Sequence, residues 1–357
     1  MANALGAGVK AGPPLDTLSG WQPGARAALI AFRTSCPSLL KRTDRSGLTQ
    51  PTDWASACAA AAAATDPAAF FRQYFETAVV GSGQAFLTGY YEPEIAGSRT
   101  PGPGYMVPVY RHPPDLIDVN LGLFSDALKG KTIRGRVDGI KLIPYYDRGE
   151  IEDGALAGKG LEIAWVADPI EFFFLQIQGS GRLKLPDGQV MRIGYDGQNG
   201  REYVGIGRLL RDKGVLKPGQ ASMQGLMGWL RDNPVEGRAA MRENKSFIFF
   251  RELKGAGPIG AMGAALTPAG SVAADPAFVP LGAPVWLGDG PAGLERLWVA
   301  QDTGGAIKGA NRFDTFWGAG ADARRIAGGM SAKARAVLLL PRGTLARIRA
   351  NGPPAQH

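Results

Sequence analysis

Histidine and cysteine are nearly absent from this sequence of 357 residues, which holds two of each. The histidines are His112 and His357, and the second is the last residue. The sequence therefore has too few histidines to favour a histidine-dependent catalytic triad or a metal site with several histidine ligands. If the protein is an enzyme, we expect carboxylate side chains to carry out the proton transfer.

The two cysteines, Cys36 and Cys58, are too few for a disulfide framework or a thiolate metal site. We expect them to be buried, inert thiols, with one disulfide between them as the alternative. Cys36 follows Arg33, Thr34 and Ser35, which differ from the small apolar run expected before a lipidated bacterial cysteine. No lipid anchor is therefore visible in the sequence.

Long apolar runs are missing as well. No stretch approaches the ~18 consecutive apolar residues that cross a bilayer. Residues 1–6 have neither the charged nor the apolar region of an export signal, so the chain as given is expected to be soluble. Because no Walker-type glycine loop and no paired cysteine motif occurs, nucleotide and zinc chemistry have no support, and we expect neither cofactor nor metal.

Glycine, proline and positive charge, by contrast, are abundant. The 51 glycines and 26 prolines favour β structure joined by tight turns. The 40 Lys and Arg residues outnumber the 32 Asp and Glu residues by eight. This excess suits an acidic partner such as nucleic acid, a membrane surface or an anionic polymer, although general solubility explains it equally well.

The length and the order of the patterns predict two domains. Residues 23–75 are helical in pattern, and helical periodicity returns in three short segments over 201–244. Residues 79–192 have the composition of β-strands and turns, with a hairpin at 184–190. Short strands joined by glycine-rich loops recur over 247–340, which points to a small closed β-barrel.

One stretch near the C-terminus carries the most chemical information. Asp302 lies at the end of one predicted strand, just before a turn of small residues. Asp314 lies in the next predicted strand, close in sequence to Phe313, Phe316 and Trp317. A carboxyl group held against aromatic surface is desolvated, so its pKa should rise and it can act as a general acid near neutral pH. The same rings can stack on sugar faces. Taken alone, such an aspartate is also typical of a turn cap or an ion pair.

This stretch closely resembles the 3D domain of the MltA family of membrane-bound lytic murein transglycosylases. The resemblance covers about residues 80–341, in the order expected for the family. Further motifs carry it at residues 87–93, 171–181, 194–200, 244–251, 266–268 and 275–287. An ordered series of this kind is far more specific than any one of its motifs.

The resemblance implies a mainly β protein with peripheral helices, namely a double-psi β-barrel with a second β-rich domain inserted into it. The barrel domain would comprise residues 1–95, with the N-terminal helices, and residues 236–357. The inserted domain would comprise residues 96–235, and the substrate groove would lie between the two domains.

Roles for individual aspartates also follow from the resemblance. Asp314 matches the catalytic aspartate of the family, and Asp302 matches the neighbouring aspartate that shapes the electrostatics of the site. The third aspartate of the motif is either Asp275 or Asp322. Each of these also suits a turn or a helix cap, and we assign neither a catalytic role.

Candidate substrate contacts come from two segments. Thr88 and Tyr90 lie in the strand that enters the barrel and could hydrogen-bond the glycan. Gln176 and Gln178 alternate with apolar residues, which predicts one face of a strand, and the turn that follows permits close approach of the backbone to a sugar. The turn consists of Gly179, Ser180 and Gly181.

The implied reaction cleaves the β-1,4 bond between N-acetylmuramic acid and N-acetylglucosamine in peptidoglycan without water. Asp314 would protonate the bridging oxygen and then, as a carboxylate, accept the proton of the muramic acid O6, leaving a 1,6-anhydromuramic acid end. Two alternatives stay open. A hydrolytic muramidase would use Asp314 with Asp302 or another carboxylate, and a non-catalytic peptidoglycan-binding module would not cleave at all.

The family's working site is the bacterial periplasm, often with a lipid anchor on the outer membrane. We therefore expect a periplasmic monomer whose partner is the peptidoglycan glycan strand and which binds no nucleic acid. Attachment to the outer membrane would require an anchor that is not visible in this sequence.

Overall fold

The protein, in a computed structural model, divides into two compact units. The structure describes residues 3–217, 222–255, 257–290 and 293–351. Pro93–Gly255 form the second unit, and the segments on either side of it form the first. Every helix in the described ranges is too short or too polar to span a bilayer.

Strands and short helices alternate through most of the described chain. The helices are α1 (Ala4–Ala7), α2 (Trp21–Leu39), α3 (Ala55–Ala61), α4 (Pro67–Tyr74), α5 (Arg148–Glu152), α6 (Pro169–Gln178), α7 (Ile206–Asp212), α8 (Met223–Asp232), α9 (Pro234–Glu243), α10 (Gly320–Ala327) and α11 (Thr344–Asn351). The strands of the N-terminal half are β1 (Val9–Ala11), β2 (Phe75–Val80), β3 (Gln84–Glu92), β4 (Glu94–Ser98), β5 (Val107–Tyr110), β6 (Ile117–Asn120), β7 (Thr132–Asp138) and β8 (Lys141–Pro144). Those that follow are β9 (Glu162–Val166), β10 (Ser180–Lys184), β11 (Val190–Gln198), β12 (Ile248–Leu253), β13 (Ser271–Ala274), β14 (Pro284–Gly288), β15 (Arg296–Asp302), β16 (Arg312–Ala319) and β17 (Ser331–Pro341). The predicted class, mainly β with accompanying helices, is confirmed.

The first unit is built on an eight-stranded sheet with the order β1-β2-β17-β14-β15-β13-β16-β3. Strand β17 pairs with β3 as well as with β2 and β14. The pairings therefore run from β3 through β16, β13, β15, β14 and β17 and return to β3. These strands carry large apolar side chains that are fully buried, among them Trp286, Trp298 and Phe313.

The predicted N-terminal helices cover this sheet. Helix α2 packs against β15, and Gly24 permits the close approach, because a Cβ there would lie 2.5 Å from the Cβ of Arg296. The contact is also polar, since the buried amide of Gln301 on β15 donates to the carbonyl of Ala31 on α2 at 2.9 Å. Asp66 accepts from the backbone of Ala69 and so caps α4.

Cys36 on α2 and Cys58 on α3 form a disulfide. The two helices pack against each other and bring the Cα atoms to 5.6 Å, within the range that a disulfide requires. The expectation of two inert thiols is therefore wrong, and the alternative of a single disulfide is confirmed. The sequence separation of 22 residues gave no indication of this packing.

The second unit contains a six-stranded sheet, in the order β12-β11-β10-β4-β9-β5, and a separate three-stranded sheet of β6, β7 and β8. The predicted hairpin over 184–190 joins β10 to β11. Because β4 pairs with β10 and β12 pairs with β11, residues 93–95 and 236–255 lie in this unit, whereas the resemblance had assigned them to the barrel domain. Helices α7, α8 and α9 supply the three helical segments predicted over 201–244.

Residues 169–178 form helix α6, so the prediction of a strand around Gln176 and Gln178 is wrong. Asp168 accepts hydrogen bonds from the first turn, and Pro169 follows it at the first helical position. Gly179 adopts the left-handed conformation at the other end, with φ of 76°. Asp168 and Gly179 favour the helix because they allow the free backbone groups at its two ends to be hydrogen-bonded, and Pro169 suits the first helical position. These end signals decide the structure, although the apolar alternation between them is typical of a strand.

Candidate active site

Four residues form a row across neighbouring strands of the first unit. Ala273 on β13 is in register with Asp302 on β15 and with Asp314 on β16, and Asp314 is in register with Thr88 on β3. Residues in register across a sheet present their side chains on the same face. The β13–β15 register shifts just before Ala273, and the hydrogen bond of Tyr90 with Asp302 supports the same face for Asp302. At about 4.8 Å per strand, the backbones of the two aspartates are about 10 Å apart, with the small side chain of Ala273 between them.

Asp314 is half-buried and hydrogen-bonded. The hydroxyl of Thr88 donates to its Oδ1 at 2.6 Å. Burial raises the pKa of Asp314 above its ordinary value, the Thr88 hydrogen bond and the Arg312 charge lower it, and the negative charge of Asp302 raises it, with a net upward shift. Its carboxyl group therefore holds a proton to a higher pH than an exposed aspartate does.

Asp302 accepts hydrogen bonds through both of its carboxylate oxygens. The backbone N–H groups of Ala261 and Thr303 donate to Oδ1, at 3.0 and 2.9 Å. The hydroxyl of Tyr90 donates to Oδ2 at 3.1 Å. Three donors from separate segments fix the orientation of this carboxylate.

Tyr90 donates a hydrogen bond to Asp302 and interacts with the charge of Asp314. It is in register with Phe316, and the two ring centroids are 5.2 Å apart. Burial, followed by the charges of Asp302 and Asp314, raises the pKa of Tyr90 well above its ordinary value. The phenol therefore stays protonated and remains a hydrogen-bond donor through the physiological pH range.

Arg312 belongs to the same cluster, although the sequence analysis missed it. Its Nη2 donates to the Thr88 hydroxyl oxygen at 3.0 Å, and its Nη1 donates to the carbonyl of Phe313 at 2.6 Å. Since a guanidinium can only donate, the hydroxyl proton of Thr88 is left for Asp314. A signal for this residue existed, because a strand places residues i and i+2, here Arg312 and Asp314, on one face.

Two of the three aromatic neighbours of Asp314, Phe313 and Phe316, do not offer faces to a sugar, contrary to expectation. Phe313 and Phe316 are 0% and 1% exposed. Trp317 packs edge-on against Trp298 at 5.4 Å between centroids. These rings remove water from the strand that carries Asp314, and sugar stacking requires an exposed face that the two buried phenylalanines lack.

The other five candidate contacts lie in the second unit, from the end of α6 to the start of β10. Gln176 is 1% exposed, and its Oε1 accepts from the Arg148 guanidinium at 2.7 Å, so its side chain faces the interior. Gln178 is exposed at the helix end, and Ser180 is half-buried. Gly179 is the helix cap, and its N–H donates to the carbonyls of Leu175 and Gln176. Gly181 permits close packing, because a Cβ there would lie 2.6 Å from the Leu175 side chain.

Neither candidate for the third aspartate takes part in the cluster around Asp314. Asp275 stabilises a turn, because its two carboxylate oxygens accept from the backbone N–H groups of Ala277 and Gly309, at 3.0 and 2.8 Å. Asp322 lies in the first turn of α10 and pairs with Arg325 at 3.3 Å. In the described ranges, no group of three or more His, Cys, Asp or Glu side chains could hold a metal ion.

Comparisons with known proteins show which family the chain is similar to. The family model described as the MltA specific insert domain matches residues 86–251, and the 3D domain model matches residues 270–340. The membrane-bound lytic murein transglycosylase A of Vibrio cholerae serotype O1 is 30% identical over 273 residues. That alignment covers 71% of this chain and 66% of the relative, slightly less than two thirds of its length.

Solved structures match over nearly the whole chain. The crystal structure of MltA from Neisseria gonorrhoeae is 37% identical with a TM-score of 0.78, covering 94% of this chain and 93% of that one. Escherichia coli MltA with bound chitohexaose is 26% identical with a TM-score of 0.64, covering 93% and 92% of the two chains.

Proposed function

The chain belongs to the MltA family, and from this premise we propose that it is a lytic transglycosylase of peptidoglycan. It cleaves the β-1,4 bond between N-acetylmuramic acid and N-acetylglucosamine and leaves 1,6-anhydromuramic acid ends. The names of the relatives support the activity, and the chitohexaose bound to E. coli MltA supports a groove for β-linked amino sugars. The single observation that carries the proposal is Asp314, half-buried and held by Thr88.

In the first step Asp314 acts as an acid. Its raised pKa keeps the carboxyl group protonated closer to neutral pH than that of an ordinary aspartate. The proton passes to the bridging oxygen while the C1–O bond of the muramic acid breaks and C1 gains oxocarbenium character. The N-acetylglucosamine then leaves with a free hydroxyl group.

In the second step the Asp314 carboxylate acts as a base. It accepts the proton of the O6 hydroxyl of the same sugar while O6 bonds to C1. The attack is intramolecular, so the attacking oxygen has a high effective concentration and water is not a reactant. The Thr88 hydroxyl stabilises the carboxylate between the steps, because it donates to the charged form.

Asp302 serves as an electrostatic neighbour in this mechanism. Its negative charge raises the pKa of Asp314 and so favours the acid form that begins the reaction. Three hydrogen bonds already occupy its oxygens, which supports a fixed charge in preference to a second acid or base. A conventional muramidase would need a second carboxylate free to attack C1 or to activate water.

We also propose the finer features that the family implies. The closed circuit of strand pairings in the first unit supports a double-psi β-barrel. In the second unit, the exposed Gln178 and the adjacent Gly179-Ser180-Gly181 backbone would hydrogen-bond the glycan. Thr88 and Tyr90 would contact sugar as well as hold the aspartates, and the reaction needs no cofactor.

The proposed location is the periplasm, where the protein would act as a monomer on the glycan strands. The Cys36–Cys58 disulfide supports this location, because disulfides persist in oxidising compartments such as the bacterial periplasm. The V. cholerae relative is named membrane-bound, which supports the cell envelope. The net positive charge also favours a polymer that carries free carboxylates.

The reaction type is tested by digesting purified sacculi in heavy-oxygen water and measuring the released muropeptides by mass spectrometry. Anhydro ends without label are expected, since O6 supplies the new bond. Labelled reducing ends as the main product would instead indicate a hydrolytic muramidase. If a folded preparation released no muropeptides at all, the protein would be a binding module.

A further inference from the structure

The three-stranded sheet of the second unit, β6, β7 and β8, has two faces of opposite character. We call this sheet, residues 117–144, the ribbon. In-register partners share a face, so the pairings of Val119 with Ile133 and of Val137 with Leu142 define one apolar side. All residues on this apolar face lack a polar side chain. They are Ile117, Val119, Ile133, Gly135, Val137, Leu142 and Pro144.

The opposite, mostly polar face makes contacts with the rest of the second unit. Arg134 donates to the Gln198 side chain at 3.3 Å, and Gly200 packs closely, since a Cβ there would lie 2.5 Å from the Cβ of Arg134. The guanidinium of Arg136 lies 4.4 Å from the ring centroid of Tyr146. The charged side of the ribbon is therefore the side that is held by the protein.

The apolar face remains accessible. Ile133, Val137 and Leu142 are 46%, 59% and 43% exposed. No residue of this face belongs to any of the three hydrophobic clusters in the described part of the chain. An antiparallel sheet with one solvated face normally buries its apolar side, so this arrangement is inverted. Exposed apolar patches of this kind mark interaction surfaces.

Both ends of the ribbon add protruding apolar side chains. Ile140 is 100% exposed at the tip of the β7–β8 hairpin, while Leu123 and Phe124 are 82% and 76% exposed in the connection from β6 to β7. The flanking lysines Lys129, Lys131 and Lys141 are exposed as well. Residues 117–144 hold five Lys and Arg side chains against three Asp side chains. Two of the five are Arg134 and Arg136 on the held face, and Lys129 pairs with Asp126 at 2.8 Å. Lys131 and Lys141 therefore supply the exposed positive charge of the segment.

We propose that the ribbon docks on the surface of an anionic lipid bilayer. Its apolar face and its two ends enter the boundary between head groups and acyl chains, and its lysines contact the lipid phosphates. Apolar side chains beside lysines are the combination that binds at such an interface. The proposal is independent of the glycan chemistry, because no ribbon residue belongs to the Asp314 cluster.

Two observations favour lipid over a protein partner. Ile140, Leu123 and Phe124 protrude singly at opposite ends, and a bilayer accepts such side chains without shape complementarity, whereas a protein needs a separate pocket for each. The net positive charge of the chain also favours anionic lipid. A second copy of this chain would bring the same excess of eight positive charges, which repels, whereas anionic lipid attracts.

The test is flotation of the full chain with vesicles of phosphatidylcholine that contain or lack phosphatidylglycerol. We expect binding to the anionic vesicles that weakens at high salt. The Ile140→Asp substitution should weaken it at least about tenfold, because an aspartate does not enter the interface. Val235→Asp is the matched control, since Val235 is 77% exposed on α9, and it should bind as the unmodified chain does.

A second pair of variants tests the charges. Lys131→Gln and Lys141→Gln should each weaken binding to anionic vesicles about fivefold, while Lys10→Gln, an exposed lysine on β1, should leave it unchanged. All variants should keep the activity of the unmodified chain on soluble glycan fragments, which shows that they are folded and separates this proposal from the catalytic one.

Three results would overturn the proposal. The first is absence of binding to anionic vesicles at low salt. The second is undiminished binding by Ile140→Asp. The third is self-association in analytical ultracentrifugation that Ile140→Asp abolishes while vesicle binding is missing, which would make the ribbon a surface for a second copy.

Discussion

The hydroxyl of Thr88 on β3 donates to Oδ1 of Asp314 on β16 at 2.6 Å, across 226 positions of sequence. The two residues are in register, and Arg312 donates to the same hydroxyl oxygen at 3.0 Å. The guanidinium thereby directs the hydroxyl proton toward the carboxyl group. Asp314 consequently has one defined orientation and a partner that favours its charged form.

Removing the Thr88 hydroxyl should slow the reaction. Thr88→Val keeps the volume of the side chain but deletes the donor, and we expect kcat to fall about 10- to 100-fold, the value of one hydrogen bond to a charged group. The matched variant Thr88→Ser retains the hydroxyl and should restore most of the rate. Equal losses in the two variants would indicate a packing role instead.

Asp314→Asn should abolish lysis while the fold remains, because the amide can still accept from Thr88 but cannot transfer a proton. The expected loss in turnover of sacculi is about 10²- to 10⁴-fold or more, the typical contribution of a general acid and base. Asp322→Asn, which changes an exposed aspartate on α10, is the control and should keep full activity. Full turnover by Asp314→Asn would remove Asp314 from the mechanism.

The same substitution has a consequence for stability that depends on pH. The pKa of Asp314 is raised in the folded state, so the folded protein loses stability as the pH rises from the ordinary aspartate value of 3.8 through the raised pKa. Asp314→Asn does not titrate. We therefore expect the Tm difference, variant minus unmodified protein, to increase as the pH rises from 3.8 through the raised pKa and to be constant above it. Thermal unfolding of both proteins over this pH range measures the difference. A difference in Tm that is constant with pH would contradict the raised pKa.

Asp302→Asn should shift the pH profile of kcat/KM. The charge of Asp302 raises the pKa of Asp314, so its removal lowers that pKa and moves the alkaline limb of the profile to lower pH. An unchanged limb would show that Asp302 acts on the substrate or on the fold alone.

Arg312→Gln should shift the same limb in the opposite direction. The guanidinium charge lowers the pKa of Asp314, so its loss raises that pKa and moves the limb to higher pH. Arg312→Lys keeps the charge and should leave the limb near its original position. If glutamine and lysine gave the same profile, the charge of Arg312 would have no part in setting the pKa of Asp314.

Reduction of the disulfide should destabilise the first unit. The bridge closes a segment of 22 residues, for which chain entropy predicts a loss of about 3 kcal/mol in the free energy of unfolding. Cys36→Ser with Cys58→Ser should therefore lower the denaturant midpoint and should make the stability insensitive to reductant. A double variant as stable as the oxidised protein would contradict this.

The sequence by itself determined the mainly β class, the helices before Phe75 and the strands after Phe247. Local signals suffice for these features, because caps and side-chain periodicity act within a few residues. Asp302 and Asp314 were assigned their roles by the resemblance of an ordered series of motifs to the MltA family, and a local pattern alone did not distinguish them from turn caps. Local signals for α6 were also present, namely Asp168-Pro169 at its start and Gly179 at its end. The prediction followed the apolar alternation between them and gave a strand.

Only the tertiary structure decided which residues meet. The contacts of Asp314 with Thr88 and of Tyr90 with Asp302 join strands more than 200 positions apart, and strand pairing over such a distance depends on the whole sheet. The pairing of Cys36 with Cys58 depends in the same way on how α2 packs against α3. The ribbon's apolar face was hidden for a related reason: alternation reveals that a strand has an apolar side, but burial is a property of what packs against it.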